Sequence, residues 1–427
     1  MARTTTSTSS CPSESLCSRS RKGFGSKDER YPTDASRHAT SGSKLFRIRP
    51  GLFLSNVSLF DFRNYAELDL TLERSASVFF GGNAQGKTNL LEAVALTALT
   101  RSPRTQQAAE LVRFGQSAAR VTCGVQTESN RDELEVRVML SPTAAGARAS
   151  RRFTVNGIHR RSSNMLGSLR VVLFWPDDLQ LIKGSGEGRR RFLNTLLAQL
   201  NAGHAKELNR YSHLLEQRNA LLRAIRDGRQ PLDELDVWTT ALAESGGAIM
   251  VERQRRLLEL QPIAAAFHRE LSDDRERLEL RYRPAGARIG EAPQELVIEQ
   301  LKAAMRDARD EELARGQTVV GPQRDDVEVW LDDHEARLFA SQGQQRSAVL
   351  SLKLAELHYL AEVTGEQPVL LLDDVMSELD PARRERLLAA LEPGPQALIT
   401  AADLNDLPRS ILERAAVFRV EQGTIHA

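Results

Sequence analysis

Ser77-Val-Phe-Phe-Gly-Gly-Asn-Ala-Gln-Gly-Lys-Thr88 joins a short apolar segment to a glycine-rich turn, and Leu90, Leu91, Val94 and Leu96 continue behind it at helical spacing. From Gly81 to Thr88 the run fits G-x-x-x-x-G-K-[ST] between a buried strand and a helix, the context this motif requires. Gly81 and Gly86 permit a loop whose backbone N–H groups wrap phosphate oxygens, and the helix that follows adds its positive N-terminal end. Lys87 is expected to reach the β and γ phosphates and to act in catalysis, while the Thr88 hydroxyl ligates Mg2+. Gly82, Asn83, Ala84, Gln85 and Asn89 complete the expected cradle. ATP and Mg2+ are therefore the expected cofactors. The chain has eight lysines against fifty arginines, so a lysine at this position of the motif is informative.

A phosphate loop needs a carboxylate at the end of a neighbouring strand, and Pro368-Val-Leu-Leu-Leu-Asp-Asp374 supplies two. Its apolar run reads as a central parallel strand. Asp373 is the expected metal partner and Asp374 the expected catalytic base. Aspartate is one methylene shorter than glutamate in that role, which predicts slow hydrolysis suited to a timer rather than a motor. Upstream, Ser341-Gln-Gly-Gln-Gln-Arg346 opens a helix through Ala348, Leu352 and Ala355. Ser341, Gln342, Gly343 and Gln344 thus form a second anion-binding helix end. Two such ends in one chain predict that two copies sandwich two ATP molecules, with Ser341 of one covering the nucleotide held by Lys87 of the other. Asp380, closing Ser377-Glu-Leu-Asp380, reads as a dimer-contact turn.

Around these motifs the 427 residues divide by composition and period. Residues 1–44 read as a disordered Ser/Thr/Arg-rich tail that lacks the apolar residues of a core. Residues 45–186 hold the phosphate loop and strand-like stretches: one from Leu52, one over 66–72, and Thr/Val-rich pieces from Ala119 to Val155 broken by Pro142 and Gly146. From 187 to 312 the period turns helical, as in Leu193, Leu196, Leu197 and Leu200. Residues 313–427 return to the ATPase pattern. The expected fold is α/β with an inserted, mostly helical second lobe, and the order of phosphate loop, helical insertion, Ser341 motif, acidic strand and Ser377-Glu-Leu-Asp380 looks like an ABC-type P-loop ATPase head.

Basic and acidic side chains number 58 and 57, so nucleic acid would have to be met by local patches rather than by an overall positive field. Arginine clusters at Arg148, Arg151 and Arg152, at Arg160 and Arg161, and at Arg189, Arg190 and Arg191 are candidates for phosphate contacts. No apolar run approaches the length of a spanning helix, which predicts no membrane partner. Cys11, Cys17 and Cys123 have neither disulfide nor zinc spacing and fit a reducing cytoplasm.

From about Leu52 onward the chain resembles the RecF family of bacterial DNA replication and repair proteins, within the ABC-type ATPase heads of structural-maintenance and recombination proteins. The resemblance rests on Asp61-Phe-Arg-Asn-Tyr65, Gly86-Lys-Thr-Asn-Leu-Leu-Glu-Ala93, Trp175-Pro-Asp-Asp-Leu179, Arg189-Arg-Arg-Phe-Leu193 and Glu216-Gln-Arg-Asn-Ala-Leu-Leu222. Gly321-Pro-Gln-Arg-Asp-Asp326, Ala340-Ser-Gln-Gly-Gln-Gln-Arg346 and Leu372-Asp-Asp-Val-Met-Ser-Glu-Leu-Asp380 extend it. It implies an ATP-dependent homodimer that binds double-stranded DNA near single-strand gap junctions and has a weak, DNA-stimulated ATPase. It also implies work with RecO and RecR to help RecA replace single-strand-binding protein in gap repair and the SOS response. The chain departs from the family pattern at Gln323, where histidine is usual, at Pro103, likewise, and at Ala401, a switch position whose methyl cannot hydrogen-bond a γ-phosphate.

A transporter ATPase subunit shares the P-loop and the Ser341 motif, but the long Arg-rich helical stretch and the missing switch histidine disfavour it. A P-loop metabolic kinase leaves the Ser341 motif unexplained. A non-hydrolysing scaffold predicts that Lys87→Met leaves dimerisation and DNA retention intact.

Overall fold

A computed structural model describes residues 51–127, 130–143, 146–389 and 394–426. The tail expected over 1–44 lies outside the described residues, as do Cys11 and Cys17. In chain order the strands are β1 (Phe53–Phe62), β2 (Tyr65–Thr71), β3 (Ser77–Phe80), β4 (Ala118–Gln126), β5 (Arg131–Thr143), β6 (Gly146–Val155), β7 (Ile158–Arg160) and β8 (Val171–Phe174). There follow β9 (Leu278–Arg283), β10 (Asp326–Leu331), β11 (His334–Glu335), β12 (Val369–Asp373), β13 (Ala397–Ala401), β14 (Ala416–Glu421) and β15 (Thr424–His426).

Two six-stranded sheets frame the site. One is antiparallel, in the order β2-β1-β4-β5-β6-β7; the other runs β15-β14-β3-β13-β12-β8, parallel except for β15. Strands β12 and β13 are buried at every residue, as apolar runs at the centre of a parallel sheet must be. Their side chains alternate between two cores. Val369 and Leu371 face the core shared with the antiparallel sheet, whereas Leu370 and Leu372 face the core built on the helix Gln342–Thr364.

The helix Lys87–Leu99 is sandwiched between the two sheets and is therefore apolar on nearly every side, with Leu90, Leu91, Val94 and Leu96 fully buried. Burying a leucine or valine of this kind contributes roughly 1.5–3 kcal/mol, so the helix and the glycine loop before it are anchored firmly.

Long helices Gly186–Leu200, Ala202–Arg226 and Leu235–Ser272 fill most of the stretch read as helical. That stretch also contains a strand. Strand β9 pairs antiparallel with β10 across the intervening helices, Leu280 opposite Val329, because its buried Leu278 and Leu280 alternate with half-buried residues. Pro142 does not end β5: it lies within the strand, near its end and opposite Ala147.

Candidate nucleotide-binding site

The C-terminal ends of β3, β13 and β12 lie side by side, with Phe80 opposite Ala401 and Thr400 opposite Asp373. In an open parallel sheet this edge is where ligands bind. The glycine loop leaves β3 there, and its shape explains its residues. Gly81 has φ +150°, and a Cβ on it would stand 2.4 Å from the Val420 carbonyl oxygen. Gly86 has φ +121°, and a Cβ there would stand 2.7 Å from the Asn64 amide. Neither position accepts a side chain. The helix that starts after Gly86 has no side-chain cap, so its first-turn N–H groups face the loop as donors.

Residues outside the motif hold the loop from behind. Asn64 Nδ2 donates to Gln85 O at 2.9 Å and the Tyr65 hydroxyl to Gly86 O at 3.1 Å. Asn89 Nδ2 donates to Asn64 Oδ1 at 2.8 Å. From the other side Gly423 N donates to Gln85 O at 2.9 Å and Gln422 N to Gln85 Oε1 at 2.8 Å. Gly82, Asn83 and Ala84 form the exposed tip. None of Asn64, Tyr65 or Gln422 stands out from sequence as a site residue; Asn64 and Tyr65 sit in the Asp61–Tyr65 stretch that carries part of the family resemblance, which is the available signal.

Lys87 Nζ donates to Gly81 O at 2.5 Å and Gly82 O at 2.8 Å, curling over the loop. Burial lowers the pKa of its ammonium, and the charges of Asp374 and Asp373 oppose that shift. Thr88 Oγ1 donates to the Asp373 carboxylate, which is 4% exposed. Burial raises the Asp373 pKa, against hydrogen bonds from Thr400 and Thr88. Asp374 stands in the left-handed region, φ 52° and ψ 23°, which turns the chain sharply off the strand. Ser377 Oγ donates to its carbonyl at 2.8 Å.

Thr400 is a further residue that sequence reading missed at this site. Its Oγ1 donates to Asp373 Oδ1 at 2.8 Å and accepts from Asp374 N at 2.9 Å, so it ties β13 to both carboxylate positions. The neighbouring Ala401 is buried. A hydroxyl one residue before the departure from the family pattern does the bridging.

Ser341, Gln342, Gly343, Gln344 and Asp380 form a separate cluster. Ser341 caps the helix Gln342–Thr364 in a reciprocal box with Gln344, and Gln344 Nε2 donates to Glu276 Oε1 at 3.0 Å. Arg383 joins this helix end to the following turn: it donates to Gly343 O at 3.0 Å and to Ser347 Oγ, and it pairs with Asp380. Among the described residues neither Ser341 nor Gln344 hydrogen-bonds to the 81–89 loop. Gln323 bonds to the Tyr211 hydroxyl and to Val320 O, away from the nucleotide loop, and Pro103 lines a cleft beside the helix Lys87–Leu99.

The arginine clusters are sorted by the fold. Arg189 is buried against Asp326 at 2.8 Å and does not offer phosphate contacts, while Arg190 is half-buried and donates to Asp325 O. In β6 the side chains alternate: Phe153 packs in the core, while Arg152 and Arg148 point to the opposite face. There Arg152 lies opposite Arg137, and Arg137 opposite Arg120, a row of three exposed guanidiniums across adjacent strands. Arg120 also lies over the exposed Phe60 ring at 5.7 Å.

Among the described residues no group of three or more His, Cys, Asp or Glu side chains forms a ready metal cage, and no helix is long and apolar enough to cross a membrane.

Comparison with known proteins agrees with this geometry. The family model for the RecF/RecN/SMC N terminal domain matches residues 53–426. The DNA replication and repair protein RecF of Symbiobacterium thermophilum is 43% identical over 380 residues, covering 88% of this chain and 98% of that protein. The RecF of Roseiflexus castenholzii is 38% identical, covering 88% of this chain and all of that protein. Among solved structures, the recombination mediator protein RecF-ATP of the RecFOR pathway superposes with a TM-score of 0.81 at 31% identity, covering 89% of this chain and 99% of that one. Matched by its family model over nearly all of the described residues and carrying the P-loop and its carboxylate partner in place, this chain is an ABC-type ATPase and belongs to the RecF family of DNA replication and repair proteins.

Proposed function

We propose that this chain is an ATP-gated DNA-binding switch of recombinational gap repair and replication restart. ATP held by the 81–89 loop joins two copies, the pair is retained on double-stranded DNA near single-strand gaps, and slow, DNA-stimulated hydrolysis releases it. RecO and RecR are the proposed protein partners in helping RecA onto single-stranded DNA, in the cytoplasm and upstream of the SOS response.

The observation that carries the reading is the convergence of Lys87, Thr88, Asp373 and Asp374 on one sheet edge, in a chain that is related to RecF over its described length. A hydroxyl and one carboxylate beside a phosphate loop suit Mg2+, which keeps water and phosphate oxygens as its other ligands. Thr88 and Asp373 would hold it, and the ion would neutralise charge developing on the transferred phosphoryl group. Lys87 then grips the triphosphate, and Asp374 orients and deprotonates the attacking water. Ser341–Gln344 and Asp380, clustered by Arg383 apart from that loop, complete the site of a second copy in this reading. In this reading residues 45–186 and 313–427 make the ATPase lobe and 187–312 the helical lobe. The row Arg120–Arg137–Arg152 supplies phosphate contacts on the outer face of the antiparallel sheet.

Sedimentation and DNA binding with and without ATP test the switch, using the wild type and Asp374→Asn. Prolonged ATP-dependent dimers on DNA in the variant are expected. Dimers and DNA retention indifferent to nucleotide would leave the scaffold reading in its place.

A further inference from the structure

Beside the end of the helix Lys87–Leu99 lies a cleft of about 760 Å3. Four arginines line it, three of them from separate parts of the chain: Arg101, which like Arg104 lies in the loop after that helix, Arg151 from β6, and Arg191 from the helix Gly186–Leu200. Half-buried Trp175 and Phe192 supply apolar wall. At the base, buried Lys353 sits between Asp178 at 3.6 Å and Glu356 at 3.3 Å, so the charges there answer one another.

The rim is different. Arg101 bonds to the Thr195 hydroxyl and Arg151 to Thr100 O at 3.1 Å, and among the described residues neither has a carboxylate within ion-pair distance. Arg191 shares Glu187 at 2.7 Å. Arg101 and Arg191 are near enough for their like charges to repel. An incoming anion would relieve that repulsion.

We propose that this cleft docks an acidic segment of a partner protein, its carboxylates on Arg101, Arg151 and Arg191 and an apolar side chain against Trp175 and Phe192. Planar guanidiniums take carboxylates through paired hydrogen bonds. A volume of about 760 Å3 admits a few side chains and not a duplex. The guanidiniums are spread around apolar walls instead of converging with backbone N–H groups as the 81–88 loop does, which favours a peptide over a nucleotide. Asp177, also lining the cleft, turns the segment's carboxylates toward the arginines.

The cleft also touches both halves of the nucleotide machinery. Arg104 on its wall donates to Asn89 at 2.8 Å and to Glu92 at 3.1 Å on the P-loop helix, and Lys353 belongs to the helix capped by Ser341. A docked segment is thus in contact with residues tied to each.

The test is fluorescence anisotropy on the full chain without nucleotide, so that its result stands whatever becomes of the ATP switch. The probe is a fluorescein-labelled hexapeptide of three aspartates, two leucines and a phenylalanine, compared with the same peptide carrying asparagines and with a labelled single-stranded hexanucleotide. The acidic peptide is expected to bind, and both the asparagine peptide and an Arg101→Ala/Arg151→Ala variant to lower affinity by about tenfold or more. Should thermal unfolding reveal a damaged double variant, Arg101→Gln serves with the same expected direction. No binding of the acidic peptide, equal binding by the variant, or variant-sensitive binding of the hexanucleotide in its place overturns the proposal.

Discussion

Thr88 donates its hydroxyl hydrogen to the Asp373 carboxylate, 3.0 Å from Oδ1 and 3.1 Å from Oδ2, joining the first turn of the P-loop helix to the end of β12. The same two oxygen groups are the proposed Mg2+ ligands. Thr88→Ala removes one ligand and frees the carboxylate, and Thr88→Ser restores the hydroxyl. We expect Mg-ATP affinity or turnover to fall by about 10–100-fold in Thr88→Ala, with most of it regained in Thr88→Ser. Titration with a fluorescent ATP analogue at fixed Mg2+ checks this, and equal affinities for both variants would remove Thr88 from the metal site.

Ser341 is exposed at its helix end, and among the described residues its side chain bonds only within its own cap. Ser341→Arg places bulk and charge where a second copy's nucleotide is proposed to sit. Monomers should still bind ATP within about threefold of the wild type, while losing ATP-dependent dimers, since the longer side chain fills the space that the partner's nucleotide would need. Light scattering with ATP reads the outcome; dimers of wild-type strength would contradict the trans arrangement.

The row Arg120–Arg137–Arg152 predicts salt-dependent DNA binding. Replacing Arg120 and Arg152 with alanine should flatten the dependence of log affinity on log salt by about two units, near 0.9 for each phosphate no longer neutralised. Arg137 is left in place because it also pairs with Glu135 at 2.7 Å. An unchanged slope in a titration from low to physiological salt would move the DNA to another face.

Among the helices, Arg218 and Glu312 form an ion pair at 2.7 Å with side chains 1% and 0% exposed, and Thr239 and Thr318 accept from the same guanidinium. Arg218→Met strands a buried carboxylate. A loss of about 3–5 kcal/mol in unfolding free energy is expected, measured by urea denaturation. A much smaller loss would mean that water reaches Glu312 once the arginine is gone.

Buried His204 has its pKa lowered to about 4, first by desolvation and then by the charge of Arg253. The native state therefore resists protonation that the unfolded chain accepts near pH 6.5. Stability from this group is whole above about pH 6.5 and declines as pH falls toward 4, by at most about 3 kcal/mol. His204→Gln should flatten that part of the stability profile between pH 7 and 4.5. A profile identical to the wild type would place the titration elsewhere.

Reading the chain alone was enough for the features written in contiguous residues. Gly81 to Thr88 carries the backbone freedom and the lysine that a phosphate loop demands, and Val369 to Asp373 the apolar run and terminal carboxylate of a central strand. The helix after Ser341 was legible for the same reason, as its cap and its apolar period are both local. Strand β9 was not, because six residues amid long helices gain their partner only when β10, far along the chain, comes alongside. Thr400 acquires its role from β13 lying between β3 and β12, an order of strands that no local spacing encodes. Arginines alike in sequence were divided by burial and strand alternation: Arg189 went to Asp326, Arg152 to the outer sheet face, and Arg151 to the cleft behind it. Conformational preference and hydrophobic period act between near neighbours and can be read in order; hydrogen bonds and ion pairs act between whatever groups packing brings within about 3 Å, and that proximity exists only after the chain has folded.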